Sequence, residues 1–138
     1  MSLFQRFAIY LNKNITAGKD YLCDFKRIKQ ELNPADILLI EGRSRISRYI
    51  KRITNSPWTH AALYIGSVES IKSDDIKQLI KQHYHGDESK PLVIESLAGS
   101  GTVISELDSY QTDHIRICRP NGILPQDVTK VISYAADH

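Results

Sequence analysis

The pattern of hydrophobic and polar positions divides the chain into short helices and strands. Apolar residues at helical spacing predict helices over 3–16, 20–32 and 44–53, and a further helix that begins at Pro125. Short apolar runs rich in isoleucine, valine and leucine predict five strands, over 36–41, 59–65, 92–96, 102–107 and 114–119. The last three strands are close together along the chain, and we expect them to form an antiparallel meander.

Residues 67–90 have a different pattern, because they are mostly polar. They predict a solvated helix and a long loop inserted between two strands, and we expect them to be the least packed part of the chain. The helix after Pro125 has an apolar stripe made by Val128, Val131, Ile132 and Ala135. This pattern continues up to residue 138, so we expect the domain to be incomplete at its C-terminus.

Length and composition indicate one ordinary domain. The 138 residues suffice for one hydrophobic core, so we treat 1–138 as a single domain with an N-terminal helical region over 1–33. Hydrophobic residues make up 41% of the chain and charged residues 25%, and the formal net charge of +2 does not by itself indicate a nucleic-acid partner.

The cysteines and the N-terminus bear on the compartment. Two cysteines far apart in sequence form neither a disulfide framework nor a zinc motif, which favours a reducing compartment. Gln5 and Arg6 interrupt the apolar start before a signal peptide can form, and no window is long enough for a membrane span. We therefore expect a soluble, cytoplasmic protein.

The helix over 44–53 separates apolar from basic residues. Its apolar stripe consists of Ile46, Tyr49, Ile50 and Ile53, and we expect Ile46, Ile50 and Ile53 to be buried. Its other face carries Arg45, Arg48 and Arg52, which we expect to project into solvent. Such a basic stripe either binds phosphate or anionic lipid, or is simply a solvated helix face, which is the commoner meaning.

His60 and Glu95 are the candidate chemical pair. Strand alternation places His60 on the same side of its strand as Ala62 and Tyr64, and places Glu95 on the same side as Val93. If the two strands pair, a carboxylate that accepts from one imidazole nitrogen leaves the other nitrogen free to act as a base. The structural alternatives are a hydrogen-bonded histidine at a strand end and an exposed carboxylate at a sheet edge.

Three stretches carry a family resemblance: NPADILLIEG, SRISRYIKRITNSPWTHAALYIG and VIES. They resemble the permuted papain-like cysteine hydrolases of the NlpC superfamily, the YiiX/YebB-like group, over residues 34–66 and 92–119. The resemblance implies a thiol hydrolase, an amidase or peptidase acting on peptide or cell-wall-type amide bonds. It implies that His60 is the base and that Glu95 orients it. Relatives of the lecithin–retinol acyltransferase type use the same fold for acyl transfer.

The 138 residues contain no cysteine at the position where the family has its nucleophile. In the permuted order the cysteine follows the strands, which places it beyond residue 138. Cys118 lies in an apolar strand and is expected to be a small core residue. Cys23 lies in the middle of a predicted helix, without the helix N-terminal placement that favours a thiolate, and is a weak candidate.

Other residues leave alternatives open. Trp58 and Tyr64 either bind substrate or pack in the core, and the sequence does not separate these. His83 and His85 suggest a metal pair by type, but no third ligand is near, so an exposed loop is favoured and we expect no metal site. Thiolate–imidazole chemistry requires no cofactor, and none is expected.

The sequence therefore predicts an α+β fold of the permuted papain-like type: a small antiparallel sheet that curls toward a barrel, with helices packed on one side. The predicted function is that of a thiol hydrolase. A lipid acyltransferase or lipase on the same fold and a non-catalytic binding module are the alternatives. The expected partners are a peptide or lipid-like small substrate and, through Arg45, Arg48 and Arg52, an anionic surface.

Overall fold

The computed structural model describes residues 24–137, and these form four helices and five strands. The predicted helix over 3–16, the start of the helix over 20–32 and Cys23 lie outside the described residues. The helices are α1 (Phe25–Glu31), α2 (Arg45–Thr54), α3 (Asp74–His83) and α4 (Pro125–Asp137). The strands are β1 (Ile37–Glu41), β2 (His60–Gly66), β3 (Leu92–Leu97), β4 (Gly101–Glu106) and β5 (His114–Cys118). The α+β class is confirmed.

The five strands form one antiparallel sheet in the order β4-β3-β2-β1-β5. The predicted meander is therefore wrong for its last strand, because β5 pairs with β1 at the far edge instead of with β4. A short 3-10 helix, Leu107–Tyr110, makes the connection between β4 and β5, and Leu107 is completely buried within it. Within residues 24–137 the edge strands β4 and β5 do not pair, so the sheet is open and not a closed barrel.

Helices cover both faces of this sheet, and not one face as the sequence predicted. One face, which we call the His60 face, buries Ala62, Tyr64 and Val93 with the apolar side of α1 and with Leu107. The opposite face packs against α3 and α4, through a cluster that contains Leu63, Ile65, Leu92, Ile94, Ile76, Ile80 and Ile132. Because both faces are covered, β2 and β3 carry apolar side chains at successive positions.

The segment over 67–90 is a structural part of this core. It contains a 3-10 helix, Val68–Ser70, and then α3, and it buries Val68, Ile76 and Ile80. The predicted helix is present, but the expectation that it is solvated is wrong, because its side toward the sheet is buried. Ile76 and Ile80 are four residues apart, so they lie on one side of α3 and face the sheet, while charged residues surround them. A narrow apolar stripe of this kind is easily mistaken for a solvated helix.

Helix α4 begins at Pro125, as predicted, and packs on the same face as α3. Ile132 is buried, and Val128 and Ala135 are packed against the core. Val131, the fourth member of the predicted stripe, is 38% exposed, because the helix contacts the core through a narrower sector that includes Ala136 instead.

Candidate functional site

His60 and Glu95 meet on the His60 face of the sheet. Strand β2 pairs with β3 so that Ala62 lies opposite Glu95, and His60 lies two residues before Ala62, on the same face. Nε2 of His60 is 2.5 Å from Oε2 of Glu95. The predicted placement on neighbouring antiparallel strands, with both side chains on one face and in hydrogen-bonding distance, is confirmed.

The Glu95 carboxylate is buried but well supplied with donors. Only 5% of the residue is exposed, and it accepts hydrogen bonds from His60, from the Ser105 hydroxyl on β4 and from the Tyr110 hydroxyl. Burial raises the pKa of this carboxyl, but the three hydrogen bonds outweigh burial, so the pKa lies below its usual value. Glu95 is therefore ionised at neutral pH, and Nε2 of His60 is the donor in their hydrogen bond.

Tyr110 is the functional residue that the sequence did not reveal. It lies at the end of the 3-10 helix between β4 and β5, and its hydroxyl donates to the same Glu95 oxygen that His60 contacts. The rings of His60 and Tyr110 have centroids 6.1 Å apart. Burial and the hydrogen bond to Glu95 both raise the pKa of Tyr110, so it remains a neutral donor. No periodic pattern marks Tyr110, because its position depends on where the connection crosses the sheet.

His60 lies on the wall of an open cleft of about 430 Å³. Its other ring nitrogen, Nδ1, has no hydrogen-bond partner among residues 24–137. Side chains from β1, from α2 and from the end of β3 make the apolar part of the cleft wall: Ile40, Ile46, Ile50, Leu97 and Ala98. An imidazole with Nε2 hydrogen-bonded to Glu95, and with Nδ1 unpartnered among residues 24–137, therefore lies in a partly apolar cleft large enough for a small ligand.

The chain approaches itself closely where β1 leads into α2 at this cleft. Ser44 caps α2, and its hydroxyl lies 2.8 Å from the Ser47 hydroxyl. A Cβ atom on Gly42 would lie 2.3 Å from Ser47 Oγ and 2.8 Å from Thr59 Oγ1, so a larger residue there would displace these two hydroxyls. The close packing of Gly42 against Ser47 and Thr59, together with a hydrogen bond from Gly42 N–H to Thr59 Oγ1, holds the start of α2 beside His60 at the start of β2.

An ion pair lies at another side of the cleft. Arg43 Nε is 3.6 Å from Asp113 Oδ1, and the Arg43 guanidinium also donates to the backbone carbonyl of Thr112. Burial raises the pKa of Asp113, and Arg43 acts in the opposite direction. The pair connects the loop after β1 to the loop before β5, so it links the two chain segments that flank His60.

Cys118, the one cysteine among residues 24–137, does not lie beside His60. Cys118 is opposite Ile37 on β1, and Ile37 is opposite Leu63 on β2, which is three residues from His60 and on the other face of the sheet. Cys118 was expected to be a small core residue, and the structure shows it half-buried. Cys23 precedes the described residues.

The two aromatic residues proposed for substrate binding do not line this cleft. Tyr64 is 9% exposed and belongs to the core of the His60 face, since it lies four residues further along β2, beneath α1. Trp58 stands in the loop before β2, with its ring centroid 5.2 Å from that of His114, beside a separate shallow cleft along β5. Tyr64 is therefore a core residue, whereas Trp58 contacts His114 and lines that separate cleft.

Fewer residues of helix α2 are buried than its apolar pattern predicted. Ser47 is its only buried residue, and Lys51 reaches inward to Glu41, with Nζ 2.7 Å from Oε1. Ile46 and Ile50 are half-buried at the cleft. Tyr49 and Ile53 are 67% and 65% exposed, so the prediction that Ile53 is buried is wrong. The Ser47 side of the helix packs against the turn at Gly42, and Lys51 contacts Glu41 of β1. Tyr49 and Ile53 lie on the opposite side of the helix.

The basic face of α2 is partly as predicted. Arg48 and Arg52 are exposed, whereas Arg45 is half-buried at the first turn.

In residues 24–137 no helix is both long and apolar enough to cross a membrane. The same residues include no cluster of three His, Cys, Asp or Glu side chains placed to hold a metal ion, and His83 and His85 are exposed at the end of α3.

Comparison with known proteins finds no match: no protein-family model, no curated protein and no solved structure aligns with this chain. Any function must therefore be argued from the site itself.

Proposed function

We propose that the chain belongs to a thiol hydrolase of the permuted papain-like type, which cleaves an amide or peptide bond in a reducing compartment. His60 is its general base. Glu95 orients this imidazole and stabilises its positively charged form. The nucleophile is a cysteine outside the described residues, on a segment beyond residue 138 in the order that the resemblance implies. The pairing of His60 Nε2 with the buried Glu95 carboxylate, beside an open cleft, carries this proposal.

The proposed chemistry depends on which ring nitrogen of His60 is hydrogen-bonded to Glu95. Glu95 accepts from Nε2–H, so Nδ1 has a lone pair available in the neutral imidazole. A cysteine thiol beside Nδ1 transfers its proton there, and the ionised Glu95 stabilises the imidazolium that forms. The thiolate then attacks the amide carbonyl carbon, and the proton on Nδ1 passes to the leaving amine. Water, deprotonated by the same nitrogen, hydrolyses the resulting thioester and releases the free cysteine.

The apolar cleft wall favours a second candidate function, acyl transfer between lipids. Ile46, Ile50 and Leu97 beside His60 suit a hydrocarbon chain better than a strongly polar peptidoglycan fragment. The thioester would form in the same way, and an alcohol or amine of an acceptor lipid would take the place of water. The two functions share His60 and Glu95 and differ in the acyl acceptor.

A non-catalytic binding module is the third possibility, and two features speak against it. A purely structural histidine at a strand end is expected to be hydrogen-bonded at both ring nitrogens or packed away from solvent, whereas Nδ1 of His60 has no partner among residues 24–137 and lies in an open cleft. Burying an ionised carboxylate behind it is costly and serves no packing purpose that an apolar residue would not serve better.

A cysteine-directed acylating probe tests the hydrolase proposal. The 138-residue chain and the same chain extended along its reading frame are each treated with the probe, and the labelled residue is identified by mass spectrometry. We expect a cysteine of the extended chain to react rapidly. His60→Ala should slow its labelling about 100-fold or more, since general base catalysis contributes that much.

Two internal controls make the test specific. His85→Ala removes an exposed imidazole and should not change the labelling rate. Cys118, on the opposite face of the sheet, should react equally in the wild type and in His60→Ala. Labelling of Cys23 that depends on His60 would show that the nucleophile precedes the strands. If no cysteine of either chain reacts in a His60-dependent way, the thiol hydrolase proposal is refuted.

A further inference from the structure

We propose that helix α2 docks the protein on an anionic lipid surface, with the His60 cleft opening toward the lipid. Two observations carry this inference: large apolar side chains of α2 that no described residue covers, and exposed arginines directly beside them. It does not depend on the chemistry of His60, so it stands or falls separately from the proposed hydrolase function.

Two large apolar side chains of α2 are exposed on its outer side. Tyr49 and Ile53 are 67% and 65% exposed and lie four residues apart, so their side chains are neighbours on one ridge of α2. Ile46 and Ile50 form the next ridge and line the cleft with His60. The apolar surface therefore continues without a break from the outside of α2 into the cleft.

A basic ridge flanks this apolar surface on the side away from the cleft. Arg48 and Arg52 are also four residues apart, each adjacent along the chain to Tyr49 or Ile53, and both are exposed. Among residues 24–137 neither guanidinium makes an ion pair, whereas Lys51 points inward and is neutralised by Glu41. The two free positive charges on α2 are thus those that face outward beside Tyr49 and Ile53.

This arrangement fits a lipid surface better than other anionic partners. An interfacial helix inserts an apolar face to the level of the acyl chains while adjacent arginines contact the phosphates of the headgroups. A nucleic acid would use Arg48 and Arg52 but would not need Ile53, since aliphatic side chains contribute little to phosphate binding. Docking through Tyr49 and Ile53 would place the cleft wall of Ile46 and Ile50 next to the lipid.

Vesicle co-flotation with the 138-residue chain tests the proposal. Vesicles of phosphatidylcholine mixed with phosphatidylglycerol should bind the protein, and vesicles of pure phosphatidylcholine should bind it far more weakly. Added NaCl should release it, because exposed charges are screened over about 10 Å at 0.1 M. Replacing Arg48 and Arg52 together by alanine should lower the partition constant roughly 30-fold, from about fivefold for each arginine at an anionic surface. Tyr49→Ser with Ile53→Ser should lower it about tenfold or more.

Matched variants separate this surface from general charge and hydrophobicity. Lys26→Ala with Lys72→Ala removes the same charge from exposed positions elsewhere, and Leu124→Ser with Tyr134→Ser removes similar apolar groups that are 52% and 70% exposed. Both should bind vesicles like the wild type, and so should His60→Ala. Failure to bind anionic vesicles, or equal loss in the matched variants, would overturn the proposal. So would retention of binding in Tyr49→Ser with Ile53→Ser, which would indicate a general polyanion surface.

Discussion

Removal of the Tyr110 hydroxyl tests whether the Glu95 carboxylate is held as the structure indicates. Tyr110→Phe keeps the ring and its packing but deletes one of the three donors to Glu95. A hydrogen bond to a charged group is worth about 1.5–3 kcal/mol in net stability. Because His60 and Ser105 remain, we expect a loss near the lower limit, about 1.5 kcal/mol at neutral pH.

The loss should depend on pH in a defined direction. Burial raises the pKa of Glu95, but the hydrogen bonds outweigh burial and place the pKa below the ordinary value of 4.5. A carboxyl whose pKa is lowered by folding contributes stability that is present above its unfolded pKa and is lost as the pH falls through its folded pKa. Without the Tyr110 donor the folded pKa rises toward the unfolded value. The difference between wild type and variant should therefore be largest near pH 7 and should shrink below about pH 4.

Urea unfolding of both proteins over a pH series measures this difference. Tyr49→Phe, at a tyrosine that is 67% exposed on α2, is the matched control and should leave the free energy of unfolding unchanged at every pH. A Tyr110→Phe loss that is constant from neutral to acid pH would show that the hydroxyl does not interact with an ionised Glu95. A variant as stable as the wild type at neutral pH would refute the hydrogen-bond assignment itself.

Two further predictions concern the scaffold that holds the site. Ile80→Ala should lower the free energy of unfolding by about 2–5 kcal/mol in a urea titration, because Ile80 is completely buried where α3 packs on the sheet. Gln78→Ala, on the exposed side of α3, should have almost no effect in the same titration. A small loss for Ile80→Ala would mean that the segment over 67–90 is the loop that its polar sequence suggests. Asp36→Asn should cost about 2 kcal/mol, because the buried Asp36 carboxylate accepts from Arg119 and from the Asn33 N–H. Glu88→Gln, which weakens the exposed pair with Lys81, should be neutral by thermal unfolding. Equal effects of these two changes would show that the buried Asp36 carboxylate does not stabilise the fold through Arg119 and Asn33.

The local features of the fold were predictable from the sequence because they depend on short-range periodicity. Alternation along β2 and β3 predicts which side chains share a face, since successive residues of a strand point in opposite directions. This placed His60 with Ala62 and Glu95 with Val93, and the pairing of the two strands then brought imidazole and carboxylate together. Ser44 and Pro125 marked the starts of α2 and α4 through capping and the proline φ angle.

Only the tertiary structure shows which elements pack or pair with each other when they are distant along the chain. The sequence of β5 is compatible with pairing to β4 or to β1, because strand periodicity specifies a face and not a neighbour. The burial of Leu107 beneath the sheet directs the chain to the β1 edge and, on the way, places Tyr110 against Glu95. The burial of α3 and the exposure of Tyr49 and Ile53 have the same origin. An amphipathic pattern shows that a helix has an apolar side, but how much of that side is covered depends on the elements that pack against it.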